Sequence, residues 1–256
     1  MRLIQYFFTL GFILVSLQTN LAQAAKYSLE DLFTTIRQEK IWKTRKILKQ
    51  VSANEKNQDG VTPLMVAAAA PQRGFILNGR KNRKIIKVLI KKGANTALVD
   101  NQGRNALFYH LDQPNLYKGD IKKLAILIAA KTSVNQKDIY DNTPLFFLLK
   151  RYDRDNVNGN YHNQLAKLLI KNHAEFKRFN KSGETPLIIT ALNANYEMAQ
   201  FLLQNGANPE DRDSNSMTIP LLIESRYDMS IPRNKDLFCL FIKNGAPTDQ
   251  TSTTCL

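Results

Sequence analysis

A fixed interval of 12 residues recurs five times along this chain, between the end of an apolar helix and the start of the next. Gln50 to Thr62, Gly93 to Asn105, Lys131 to Thr143, His173 to Thr185 and Gly206 to Thr218 are each 12 positions apart. Starts are marked by Thr-Pro-Leu at 62–64, 143–145 and 185–187, with "GRNALF" (103–108) and Thr218 in the same register. Ends are marked by an apolar run closing on Gly-Ala or a variant: "IIKVLIKKGAN" (85–95), "LAILIAAKTSV" (124–134), "LAKLLIKNHAE" (165–175), "MAQFLLQNGAN" (198–208) and "LFCLFIKNGAP" (237–247). The reverse distance, from start to end, varies over 31, 26, 30, 21 and 27 residues. An invariant connection joined to a variable helical part describes stacked units, each burying its apolar face against the next.

The connection carries its own motif, Asp or Asn followed three residues later by Gly or a small polar residue. It reads "NQDG" (57–60), "DNQG" (100–103), "DIYD" (138–141), "NKSG" (180–183) and "DSNS" (213–216). Asn and Asp can bond their own backbone in such turns. Pro63, Pro144 and Pro186 suit a first helical turn, where the missing N–H costs nothing.

On these motifs residues 28–249 resemble an ankyrin-repeat protein. The resemblance implies an all-α solenoid of helix-turn-helix units with short β-hairpin fingers. It implies about five full repeats, near 62–95, 105–134, 143–175, 185–208 and 218–247, after an N-terminal half-repeat opened by a Ser28–Asp31 capping box. The chain departs from the family pattern where a His commonly follows Thr-Pro-Leu. Met65, Phe108, Phe146, Ile188 and Leu221 stand there instead. Asn105-Ala106 replaces Thr-Pro in the second unit, and the last unit shifts its proline to Pro220.

Residues 1–25 have the layout of a secretory signal peptide: Arg2, an apolar run from Leu3 to Leu17, then Ala22-Gln23-Ala24-Ala25. The expectation is an exported protein, periplasmic or secreted, with 26–249 as the repeat domain and 250–256 as a tail. Lys and Arg outnumber Asp and Glu by 36 to 22. Seven of the basic residues lie in "RKNRKIIKVLIKK" (80–92) and five in "KIWKTRKILK" (40–49). Arg80, Lys81, Arg83, Lys84, Lys43, Arg45 and Lys46 are therefore candidates for an anionic polymer or membrane surface. The alternative is a solubilising surface.

No phosphate loop, nucleophile elbow or metal-ligand spacing is present, so neither an enzyme nor a cofactor is expected. The resemblance implies a non-enzymatic scaffold for another protein, an acidic one suiting the charge; a monomer is expected. Sequence-specific nucleic-acid recognition is not expected. Relative to the fourth unit, the others carry insertions rich in aromatics, Arg, Asn and Gly, a composition suited to contact loops. Phe75, Tyr117, Tyr152, Arg154, Tyr161 and Tyr227 are the insertion candidates. Asn101 and Tyr140 are the candidates on the fingers, the family's usual contact region. Cys239 and Cys255 fit a disulfide in an exported protein, with free thiols or an intermolecular bond as alternatives.

Overall fold

The computed structural model describes residues 26–69, 80–113, 116–152, 159–247 and Cys255. Among them are twelve helices in six pairs. The first helices of the pairs are α1 (Leu29–Arg37), α3 (Pro63–Ala69), α5 (Ala106–Leu111), α7 (Pro144–Lys150), α9 (Pro186–Leu192) and α11 (Ile219–Arg226). The second helices are α2 (Ile41–Ile47), α4 (Arg80–Lys91), α6 (Lys118–Ala129), α8 (Gly159–Lys171), α10 (Tyr196–Gln204) and α12 (Pro232–Lys243). Each first helix packs on the next first helix, and from α2 to α8 each second helix packs on the next second helix. The result is a two-layer solenoid whose core runs the length of the stack.

Local chemistry sets each helix boundary. Ser28 Oγ accepts from Asp31 N (3.1 Å), and Ser28 N donates back to Asp31 Oδ2 (2.9 Å), forming the expected capping box. Thr62, Thr185 and Thr218 accept from the backbone N–H three residues on, and Asn105 Oδ1 accepts from Leu107 N. Thr143 departs: its buried hydroxyl has no hydrogen-bond partner. Second helices end in a left-handed residue at Gly93, Lys131, His173, Gly206 and Gly245. The next N–H then reaches five residues back, as in Ala94 N to Leu89 O and Ala174 N to Leu169 O, both 3.0 Å. That closure satisfies carbonyls a helix end would otherwise leave orphaned. Gln50 is not left-handed; α2 leaves instead through Val51 N to Ile47 O.

The fingers are short hairpin-like turns paired across their base by backbone bonds such as Asp100 N to Arg104 O and Asp138 N to Asn142 O, both 3.0 Å, and no extended strand forms among the described residues. One isolated antiparallel bridge, Arg212 with Thr218, occurs among the described residues. Each loop is closed by its first side chain, whose Oδ1 accepts two backbone N–H groups, two and four residues on. Asp100 takes Gln102 N and Arg104 N, and Asp138 takes Tyr140 N and Asn142 N, at 2.8–2.9 Å. Asn57, Asn180 and Asp213 repeat the pattern. This double acceptor explains why the slot takes only Asp or Asn. The fourth residue of every loop has positive φ, including Asp141 (60°) and Ser216 (62°).

Cys239 is joined to Cys255, with 5.2 Å between their α-carbons. The bond ties the chain end to α12. No described helix is long and apolar enough to cross a membrane.

Candidate functional site

The fingers stack on one another through the backbone. Asn101 N donates to Asp59 O, Ile139 N to Gln102 O and Lys181 N to Tyr140 O, at 3.0–3.1 Å. The fit is close at Gly60, where an added Cβ would stand 2.7 Å from Asn101 Oδ1. Side chains reinforce the ladder: Asn180 Nδ2 donates to Asn142 Oδ1 (2.9 Å), and Lys181 Nζ donates to Ile139 O (2.7 Å). At the root of the second finger, Arg104 pairs with Asp100 at 2.9 Å, and the Tyr109 hydroxyl donates to the same carboxylate at 2.7 Å. Burial would raise the Asp100 carboxyl, but bonds from Arg104 and Tyr109 outweigh it and hold it below the ordinary value. Burial, then the bond to Asp100, pushes the Tyr109 phenol up.

Upon this rigid ladder three large apolar side chains face solvent. Tyr140 is 60% exposed, Phe179 49% and Ile139 47%. They lie on adjacent fingers, beside the cations Lys137, Lys177, Arg178 and Lys181. Isolated exposed apolar residues are ordinary, but three on two loops bonded to each other form a group suited to contact.

Of the expected finger residues, Tyr140 belongs to this group and is the most exposed of the three. Asn101 is exposed but serves the ladder, its Nδ2 donating to Gln58 O (2.9 Å). Ile139 and Phe179 were not anticipated. A signal existed: in the slot after the loop-closing residue, Ile139 replaces Gln58, Asn101, Lys181 and Ser214.

The four insertion tyrosines make different local contacts, and Tyr117 is exposed. Tyr227 donates its hydroxyl to Leu192 O at 2.5 Å, Tyr152 stands edge-on to His162, and Tyr161 packs partly against the core. Tyr117 caps α6, its N–H donating to Asp120 Oδ2 (2.9 Å). Phe75, Arg154 and residues 1–25 lie outside the described residues, as does the tail at 248–254. Of the basic candidates, Arg45, Lys46, Arg80, Lys81 and Lys84 are exposed, while Lys43 and Arg83 are half-buried.

A polar cluster in the second unit also escaped the sequence reading. His110, Asp120 and Lys123 are all buried. Lys123 Nζ lies 3.4 Å from Asp120 Oδ1 and 3.3 Å from Ala68 O. His110 Nε2 is 3.0 Å from Asp120 O, and because a carbonyl only accepts, this nitrogen carries the proton. Burial, then the Lys123 charge, lowers the His110 pKa to about 3, so the ring is neutral. All three side chains are almost wholly shielded from solvent, with His110 and Lys123 at 0% and Asp120 at 1% exposure. Among the described residues no set of three His, Cys, Asp or Glu residues could hold a metal ion.

Comparison with known families bears on the repeat itself. A model described as ankyrin repeats (3 copies) matches residues 115–213, and an ankyrin-repeat model matches residues 59–101, together more than half of the chain. The chain belongs to the ankyrin-repeat family. Among solved structures, an ankyrin repeat domain from Acinetobacter baumannii AYE superposes with a TM-score of 0.65 at 22% identity. The match covers 84% of this chain and 98% of that one, and shows that the fold is shared. No curated protein matches the sequence. Ankyrin repeats typically bind other proteins and are typically non-enzymatic interaction modules.

Proposed function

We propose that this ankyrin stack is a non-enzymatic scaffold that acts after export, in the periplasm or outside the cell, and docks one protein partner through its finger edge. The observation that carries the reading is the group of Ile139, Tyr140 and Phe179 on fingers locked by backbone bonds. Aromatic anchors on a preorganised support lose little entropy on binding. The surrounding lysines and arginines favour an acidic partner. A secreted effector acting on a host protein is a variant of the same reading. Export rests on the signal-like layout of residues 1–25. It is tested by expressing the full chain and determining the N-terminus of the accumulated protein. Binding is tested by Tyr140→Ser with Phe179→Ser, which should abolish capture of the partner and leave the melting transition in place.

A second reading rests on the second-helix layer. Trp42, 69% exposed, stands among the basic residues of α2, and exposed cations continue on α4. An anionic polymer or membrane surface would be held there through Lys43, Arg45, Lys46, Arg80, Lys81, Arg83 and Lys84. Its mark is retention lost on adding salt, and lost when Arg80, Lys81, Arg83 and Lys84 are replaced by Gln.

A further inference from the structure

Repeat register exposes an irregularity in the second-helix layer. Six residues before the exit slot, successive helices α4, α6 and α8 carry Lys87, Ala125 and Lys167. Two residues before it they carry Lys91, Ala129 and Lys171. The central helix thus has alanine at both positions where its two neighbours have lysine. A surface groove is lined by Lys87, Ile90, Lys91, Ala125, Ile126 and Ala129. Lys87, Lys91, Ala125 and Ala129 are exposed, and Ile90 and Ile126 are half-exposed. Lys167 is shared with Glu197 at 2.6 Å, whereas no ion pair within the described residues engages Lys87, Lys91 or Lys171. The helices α2, α4, α6 and α8 carry one acidic residue among them, Asp120, and it is buried against Lys123.

From this arrangement we infer that the groove between α4 and α6 is a second docking surface, separate from the finger residues, and that its occupant is an acidic amphipathic helix of a partner protein. Dimensions and charge both select that occupant. Helices packed side by side lie about 8–10 Å apart, so the two lysine rows stand roughly 20 Å apart. A helix with its side chains is about 10–12 Å wide and fits between them. Its apolar stripe meets Ile90, Ala125, Ile126 and Ala129, where the small alanines permit close approach. Glu or Asp on one flank meets Lys87 and Lys91, which line the groove, and on the other flank reaches toward the exposed Lys171 at the end of α8. A second copy of this basic chain lacks the matching charge. A flat lipid surface matches the charge but not the recess.

The test measures binding of the full chain to a fluorescein-labelled amphipathic peptide with a Leu stripe flanked by Glu, and to its twin with Lys for Glu. Vesicles of phosphatidylcholine with about 25% phosphatidylserine form a third arm. The decisive variant is Ala125→Arg with Ala129→Arg, which fills the groove while adding positive charge. Both sites are exposed helix positions where Arg is well tolerated, and an unchanged melting transition verifies the fold. The Glu peptide is expected to bind saturably and the Lys twin not at all. The double-Arg variant should weaken Glu-peptide binding at least about tenfold, as loss of an anchor contact does. Removing Lys87, Lys91 and Lys171 as Gln should weaken it too. Unchanged or tighter binding by the double-Arg variant overturns the inference in favour of charge alone. Vesicle binding without peptide binding overturns it in favour of lipid. A sedimenting dimer dissolved by the double-Arg change overturns it in favour of a second copy.

Discussion

Lys123 stands in a core slot, its Nζ 3.4 Å from Asp120 Oδ1, with both side chains buried. The same slot in the other full units holds Ile85, Leu165, Met198 and Leu237. A buried pair is fragile to losing one member, since the remaining charge is stranded. Lys123→Met should therefore lower unfolding free energy by about 3 kcal/mol. Adding Asp120→Asn should restore most of it, because Asn82, Asn195 and Asn234 occupy the Asp120 slot elsewhere. Chemical denaturation of the single and double variants measures the coupling directly.

His110 gives the stability a pH dependence. Its folded pKa, about 3, lies below its ordinary value of 6.5. The unfolded chain therefore binds the proton first, and stability is lost as pH falls below about 6.5. The slope approaches about 1.4 kcal/mol per pH unit until the folded value is reached. His110→Leu, the residue found at the equivalent Leu148, should flatten stability between pH 6.5 and 4.5 in denaturation curves. An unaltered slope would show that the imidazole is not the titrating group.

The left-handed exits predict a gain. His173 adopts φ 67° and Lys131 φ 62°, where Gly93, Gly206 and Gly245 sit in the other units. A side chain costs about 1–2 kcal/mol in this region, partly offset by the freedom glycine adds to the unfolded chain. His173→Gly should raise stability by up to ~1 kcal/mol, read as a higher melting temperature.

The third finger depends on one carboxylate. Asp138→Ala removes the acceptor for Tyr140 N and Asn142 N. Those two amides should exchange with solvent much faster while the α7 amides keep their protection. If binding uses the finger residues, affinity falls in the same variant.

The link between Cys239 and Cys255 closes a loop with a sequence separation of 16. Such a loop contributes about 3 kcal/mol by restricting the unfolded chain. Reduction, or Cys239→Ser with Cys255→Ser, should lower the melting temperature without changing the helical content.

The stack was legible because its determinants are local. A Thr or Asn before a first helix, a left-handed exit and an Asx-closed loop each act within a few residues, so spacing alone reveals them. The finger form was legible only in part. "DIYD" marked the loop, but the double acceptor role of Asp138, which adds to the backbone bond from Asp138 N to Asn142 O, was not read from it. The Ile139, Tyr140 and Phe179 group was half-hidden, because it depends on which neighbouring finger stands beside which. His110 looked isolated because Asp120 is ten positions on, across an insertion. Counting back from the exits would have found it, since Lys123 falls where the other units have Ile, Leu or Met. Tyr227 looked available because nothing in its own unit indicates that its hydroxyl reaches Leu192 O in the preceding one.

The most direct test of protein binding at the fingers uses the tagged full-length protein beside its Tyr140→Ser/Phe179→Ser variant. Each is incubated with envelope and secreted fractions at low and at high salt, and bound protein, nucleic acid and lipid are all identified. The account predicts one discrete protein, retained at high salt by the parent and lost from the variant. Capture of only anionic polymer or lipid, released by salt and indifferent to the finger substitutions, would contradict it.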